Sequence, residues 1–168
     1  MITLATLMYE ILLTRIFSVT MWYHFAFVAI SVAMFGMTVG AILVYLLPNY
    51  FTQERTKHNL ALYALFFSIS IALSFMTYIS IPFTFNISVI DLYSIALIYV
   101  VLSVPFIFSG ICVCLALTKF PQQVSRLYAA DLLGAASGCV LLVYTLKITD
   151  GPTSVVVIAV LASIGTIF

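Results

Sequence analysis

Long apolar runs separated by gaps of a few polar residues leave this chain one class of fold. Crossing about 30 Å of hydrocarbon takes about 20 helical residues, each rising 1.5 Å. In that medium each backbone N–H and C=O must be satisfied without water, which an α-helix does within a single run. Six such runs are visible: Ile2–Phe17, Trp22–Leu47 ended by Pro48, Leu60–Ile81 ended by Pro82, Leu92–Leu117 with Pro105 inside it, Tyr128–Leu146, and Pro152–Phe168. Asp150-Gly151-Pro152 reads as a turn and helix start. The expected fold is all-α, a polytopic membrane bundle of about six transmembrane helices resembling a transporter half. It forms a single transmembrane domain over residues 1–168.

Composition supports this class. Charged residues make up 7% of the chain and hydrophobic residues 65%, whereas a soluble domain is about a quarter charged. Lipid must replace the polar surface. With a net charge of +1 and no Lys/Arg cluster, nucleic acid is excluded as a partner. The sequence has no G-x-S-x-G, H-E-x-x-H, P-loop or nucleotide-binding glycine turn, so it offers no catalytic residues and no cofactor. Cys112, Cys114 and Cys139 lie inside apolar runs without metal-type spacing and read as buried thiols, not as a metal site.

The gaps set an expected orientation. Arg55 and Lys57 follow the second run, and Lys119 and Arg126 follow the fourth. Arg15 and Lys147 lie on the other side. Basic loops stay cytoplasmic, which predicts both termini in the cytoplasm. The chain opens directly in an apolar run, and its last run reaches Phe168 without a polar flank. Membrane helices usually finish with interfacial anchors, so the polypeptide is expected to continue.

The few ionisable groups within or at the edge of the runs are the functional candidates, because a charge in hydrocarbon is costly. Glu10 sits in the middle of the first run and needs a partner from another helix, water, a proton or a cationic guest. Arg15 follows five residues later, about 140° around an ideal helix, so it is no simple i,i+4 partner. Asp131 precedes Gly134 by three residues and Gly138 by seven, which places it on their seam. It reads either as a structural carboxylate capping a neighbouring helix or as a cation or proton site. Arg126 lies five residues before it. His24, in Trp22-Tyr23-His24-Phe25, belongs to an interfacial aromatic belt, with a proton relay or metal ligand as the sharper alternative.

Small residues mark the packing faces. Ala26, Ala29, Ala33, Gly36 and Gly40 recur every three or four residues, and Gly36 and Gly40 form G-x-x-x-G. Gly134 and Gly138 repeat the device in the fifth run. Such faces let helices approach closely, with close approach of the backbone to a ligand as the alternative. Each motif lies in the second helix of a set of three, a hint of a three-plus-three inverted repeat. Pro105 with Ser109-Gly110 predicts a kink whose freed carbonyl at Val101 finds a serine or water.

Two stretches carry a family resemblance. One is Glu10-x4-Arg15-Ile16-Phe17-Ser18-Val19-x2-Trp22-Tyr23-His24-Phe25-Ala26-Phe27. The other is Arg126-Leu127-Tyr128-Ala129-Ala130-Asp131-Leu132-Leu133-Gly134-Ala135-Ala136-x-Gly138. With Val104-Pro105-Phe106-x2-Ser109-Gly110 they resemble the N-terminal membrane region of bacterial fused major-facilitator/spermidine synthase proteins. The resemblance implies a six-helix module in a bacterial inner membrane, ahead of an aminopropyltransferase-like domain absent from this sequence. Without that domain enzyme activity is not expected of this stretch, and the resemblance implies that the small-residue faces of the second and fifth helices dock a further helical module or subunit. The expected function is movement or delivery of a small organic cation such as a polyamine, with Glu10 and Asp131 as cation-binding groups and Arg15, His24 and Arg126 in support, or the anchoring of a synthase-like domain. The alternative is a structural subunit of a larger membrane complex without a ligand of its own.

Overall fold

Among the described residues of this computed structural model (1–20, 25–48, 50–51, 56–81 and 89–167), six α-helices and one short 3₁₀ turn account for nearly all of the chain. They are α1 (Ile2–Thr20), α2 (Ala26–Leu46), α3 (Thr56–Ser80), α4 (Val89–Lys119), α5 (Val124–Ile148) and α6 (Gly151–Ile164), with the 3₁₀ turn Pro121–Gln123 before α5. The first five are long and apolar enough to cross a membrane, and the protein is an integral membrane protein. At 14 residues α6 is shorter and rises about 21 Å.

Helix ends depart from the apolar runs in a consistent direction. Helix α3 begins at Thr56 and α5 at Val124. Lys57, His58 and Arg126, expected in loops, therefore lie in first turns. Hydropathy marks only the part of a helix that needs hydrocarbon, while a backbone ladder already formed extends cheaply into a polar turn. Where α6 starts, the Ser154 hydroxyl donates to the Asp150 carbonyl (3.0 Å) and lies 3.0 Å from the Thr149 hydroxyl.

Helices α1 and α4, the two most buried of the long helices, form the centre of the bundle. Leu4, Ala5, Met8, Tyr9, Leu12, Leu13 and Phe17 are buried, and α1 packs on α2, α4, α5 and α6. The contacts follow a simple rule. Exchanging α1 with α4, α2 with α5 and α3 with α6 turns α2–α4 packing into α1–α5 packing, turns α3–α4 into α1–α6, and leaves α3–α6 and α1–α4 unchanged; all of these pairs pack. Because two helices lie between the exchanged members, each runs opposite to its mate, as in an inverted repeat.

The glycine motifs sit at the equivalent seams. A Cβ on Gly36 would meet Phe106 Cβ at 2.6 Å and the Ser103 carbonyl at 2.7 Å, and one on Gly40 would run into the Ile107 carbonyl of α4. A Cβ on Gly138 would meet the Leu4 carbonyl of α1 at 2.6 Å. Both glycine faces are thus occupied from within the chain, which corrects the expectation that they await another module. The reason is geometric: the repeat carries each second helix onto the first helix of the other set. Pro105 lies within a helix that continues to Lys119. The nearby Ser103 hydroxyl donates to the Val100 carbonyl (2.7 Å) and not to that of Val101, and Ser109 turns toward α1.

Candidate functional site

Polar side chains inside the bundle fall into two kinds. Thr14, Ser31, Thr38, Thr77 and Ser80 donate to the carbonyl four residues earlier on their own helix, so they can face lipid without an unpaired hydroxyl. A second set ties helices together, mostly through α1. The Thr6 hydroxyl lies 2.5 Å from that of Ser109 on α4, and Thr6 itself donates to the Ile2 carbonyl. Ser109 must therefore be the donor across the seam. The Tyr9 hydroxyl is 3.0 Å from Ser74 on α3, whose own proton goes to the Ile71 carbonyl, so Tyr9 donates. The Ser68 hydroxyl reaches the Ala159 carbonyl of α6 at 2.7 Å. Sequence reading singled out none of Thr3, Thr6, Tyr9 or Ser68.

The remaining stripe of α1 is only half covered. Thr3, Leu7, Glu10 and Thr14 recur at steps of four, three and four, and all four are half-buried. At its start the Thr3 hydroxyl donates to Asp131 Oδ1 of α5. Glu10 lies seven residues further along, within about 20° of the same direction and about 10 Å up the axis. Among the described residues its carboxylate has no hydrogen-bond or ionic partner; its backbone carbonyl accepts the Thr14 hydroxyl at 2.8 Å. Glu10 and Asp131 thus share the α1–α5 side of the bundle without touching each other. Arg15 and Arg126 are exposed, and neither reaches a carboxylate among the described residues. His24, with Trp22 and Tyr23, lies outside the described residues.

Asp131 has a second environment. Where α1 and α5 begin and α4 and α6 finish, a cavity of about 400 Å³ opens between the helices. Its wall includes Met1, Ile2, Leu60, Val113, Ala116, Leu117 and Leu127, and Asp131 is its one acidic or basic side chain. Among the described residues no three His, Cys, Asp or Glu side chains gather as a metal site requires. Cys112 is buried in the cavity wall, and Cys114 and Cys139 are half-buried; all three are free thiols.

Compared with protein families, curated proteins and solved structures, the chain matches none.

Proposed function

We propose that this integral membrane protein is a transporter-half-like module and that Glu10 is its cation-binding group. A single observation carries the reading: a carboxylate midway along the central helix, half-buried, without a polar partner among the described residues. A protein retains an ionisable group at that depth at a cost, and a positively charged guest offsets it. The seam between α1 and α5 supports the same reading. Helix α5 is the least covered of the five long helices, and one hydroxyl–carboxylate bond, Thr3 to Asp131, ties its beginning to α1. Movement of α5 along this seam would alter access to the stripe carrying Glu10.

The resemblance to the membrane region of fused major-facilitator/spermidine synthase proteins makes a polyamine the first cation to test. It also favours a bacterial inner membrane, and the basic residues at the gaps favour cytoplasmic termini. The test is spermidine uptake into proteoliposomes holding the purified protein, with E10Q alongside. Uptake should be lost in E10Q while the fold, followed by far-UV circular dichroism, is kept. Unchanged uptake in E10Q removes the assignment.

A second reading is a structural subunit or membrane anchor. It is favoured by the outward face of α5, where Tyr128, Leu132, Leu133, Val140 and Tyr144 are exposed. In a larger assembly such a face would meet either lipid or a neighbouring helix. Purification with stoichiometric partner subunits, and no cation binding, would support it.

A further inference from the structure

We propose that the cavity at the beginning of α5 is a binding site for an amphiphilic monoamine: a single protonated amine on an apolar body, held by Asp131. This site stands apart from Glu10, which does not line it.

The inverted repeat shows that the cavity is a departure from the pattern. Gly36 of α2 lies against Phe106 and Ile107 of α4, and Gly134 of α5 lies against Thr3 and Leu4 of α1. Thr3 is therefore the mate of Phe106. Asp131, three residues before Gly134, is the mate of Ala33, three before Gly36. At the opposite end of the bundle the crevice between the exchanged helices, α4, α2 and the end of α1, holds only about 10 Å³ among Phe17, Val32, Ile98, Tyr99 and Leu102, and the mates Phe106 and Ala33 are themselves buried and do not line it. One end of the repeat is closed with apolar side chains. The other is open, and a hydroxyl and a carboxylate stand where the repeat has phenylalanine and alanine.

The ligand class follows from the wall. A volume of about 400 Å³ falls in the range that holds a small drug-sized molecule. Ile2, Leu60, Val113, Leu117 and Leu127 offer burial to an apolar body. The Thr3 hydroxyl occupies Asp131 Oδ1 and fixes the carboxylate, while Oδ2 has no partner among the described residues. A protonated amine supplies the charge-assisted hydrogen bond that this oxygen lacks. No Lys or Arg side chain lines the cavity, so an anionic headgroup would face the Asp131 carboxylate with no basic side chain to offset it. A polyamine would leave its further ammonium groups against leucine and valine, where an unpaired charge is strongly disfavoured.

The test uses the full chain in nanodiscs of zwitterionic lipid and equilibrium binding of radiolabelled 4-phenylbutylamine, with protein-free nanodiscs subtracted. The amine should bind saturably. The neutral analogue 4-phenylbutanol should compete at least tenfold more weakly, and spermidine should not compete. D131N should lower affinity at least tenfold. A116L, which fills the cavity and keeps the carboxylate, should do the same, so the outcome does not rest on one variant that also alters the Thr3 contact. E10Q should bind as the wild type does, which separates this site from the Glu10 assignment. No saturable binding, equal competition by phenylbutanol or spermidine, or full affinity in both D131N and A116L overturns the proposal; displacement by added lipid alone identifies an acyl-chain crevice and overturns it too.

Discussion

Gly36 and Gly134 open two G-x-x-x-G motifs that look equivalent in sequence, yet alanine at the two positions should behave in opposite ways. A Cβ at Gly36 would fall 2.6 Å from Phe106 Cβ and 2.7 Å from the Ser103 carbonyl, and one at Gly40 would fall 2.8 Å from the Ile111 amide and 3.1 Å from the Gly110 carbonyl carbon. Comfortable contact needs roughly 3.5 Å, so α2 and α4 must part by most of an ångström. Most of these neighbours are backbone and cannot swing aside. A gap of that size removes a quarter to a half of the dispersion energy of each contact along the seam, and overpacking of this kind costs about 1–3 kcal/mol. The better helix propensity of alanine returns up to about 1 kcal/mol, leaving G36A or G40A destabilised by about 1–2 kcal/mol. At Gly134 the nearest atoms to a Cβ would be the Leu4 amide at 3.7 Å and Thr3 Cβ at 3.8 Å, which is ordinary contact. G134A should therefore be neutral or stabilised by up to about 1 kcal/mol. The two variants should differ by about 2 kcal/mol, roughly thirtyfold in the unfolding equilibrium. Titration of each purified variant from mild detergent into sodium dodecyl sulfate, followed by tryptophan fluorescence and far-UV circular dichroism, measures the difference. Equal losses in G36A and G134A, or a neutral G40A, would refute the packing on which the reasoning rests.

Three further outcomes are expected. T6V should cost about 1–2 kcal/mol, because it strands the buried Ser109 hydroxyl donor, whereas S109A should cost less, since Thr6 keeps its bond to Ile2; the same detergent titration decides, and equal costs would mean the donor assignment is reversed. Y9F should lose about 0.6 kcal/mol, the mean worth of a hydrogen bond between membrane helices, while its ring keeps the 5.6 Å packing against Phe106; a loss above about 2 kcal/mol would point to a wider polar network. E10L should leave stability unchanged or improved, because no polar partner among the described residues is orphaned by it, and yet abolish spermidine uptake; a strongly destabilised E10L would mean that Glu10 is structural.

Much of the fold was legible because hydropathy reports the one requirement that dominates in lipid. All six runs became helices, and proline or glycine stands beside the end of α2 and at the start of α6. The polar first turns were missed for the same reason: Lys57, His58 and Arg126 extend helices without needing hydrocarbon. The small-residue faces were legible as faces, but not their targets. Glycine spacing states that a backbone comes close and carries no information about which helix supplies it. The interhelical hydroxyls were hidden more thoroughly. A serine or threonine that bonds its own helix, such as Thr38, and one that reaches another, such as Ser68, have the same local sequence character; only the tertiary register separates them. Asp131 was legible as a residue on the glycine seam, whereas its contact with Thr3 required knowing that α5 lies along α1.

The exchange relation between the two halves sharpens the significance of that last contact. If the halves were equivalent in detail, α5 would grip α1 as firmly as α2 grips α4. They differ: Gly36 and Gly40 are both pressed against α4 backbone or Cβ atoms, whereas only Gly138 is pressed against α1, and Gly134 stands off. Close approach is the main source of attraction between helices in lipid, so the α1–α5 seam is the weaker of the two related seams. Helix α5 is also the least covered of the five long helices, and local opening follows the less stabilised contacts, so of the related pair α2 and α5 it is α5 that is expected to part more readily. The stripe of α1 that it would uncover carries Glu10, and the bond that it would break joins Thr3 to Asp131. Glu10 and Asp131 thus both lie along the weaker of these two related seams. A carboxylate there is exposed to water or a cation when α5 moves and confined when it returns, whereas at the α2–α4 seam it would stay locked within close-packed backbone.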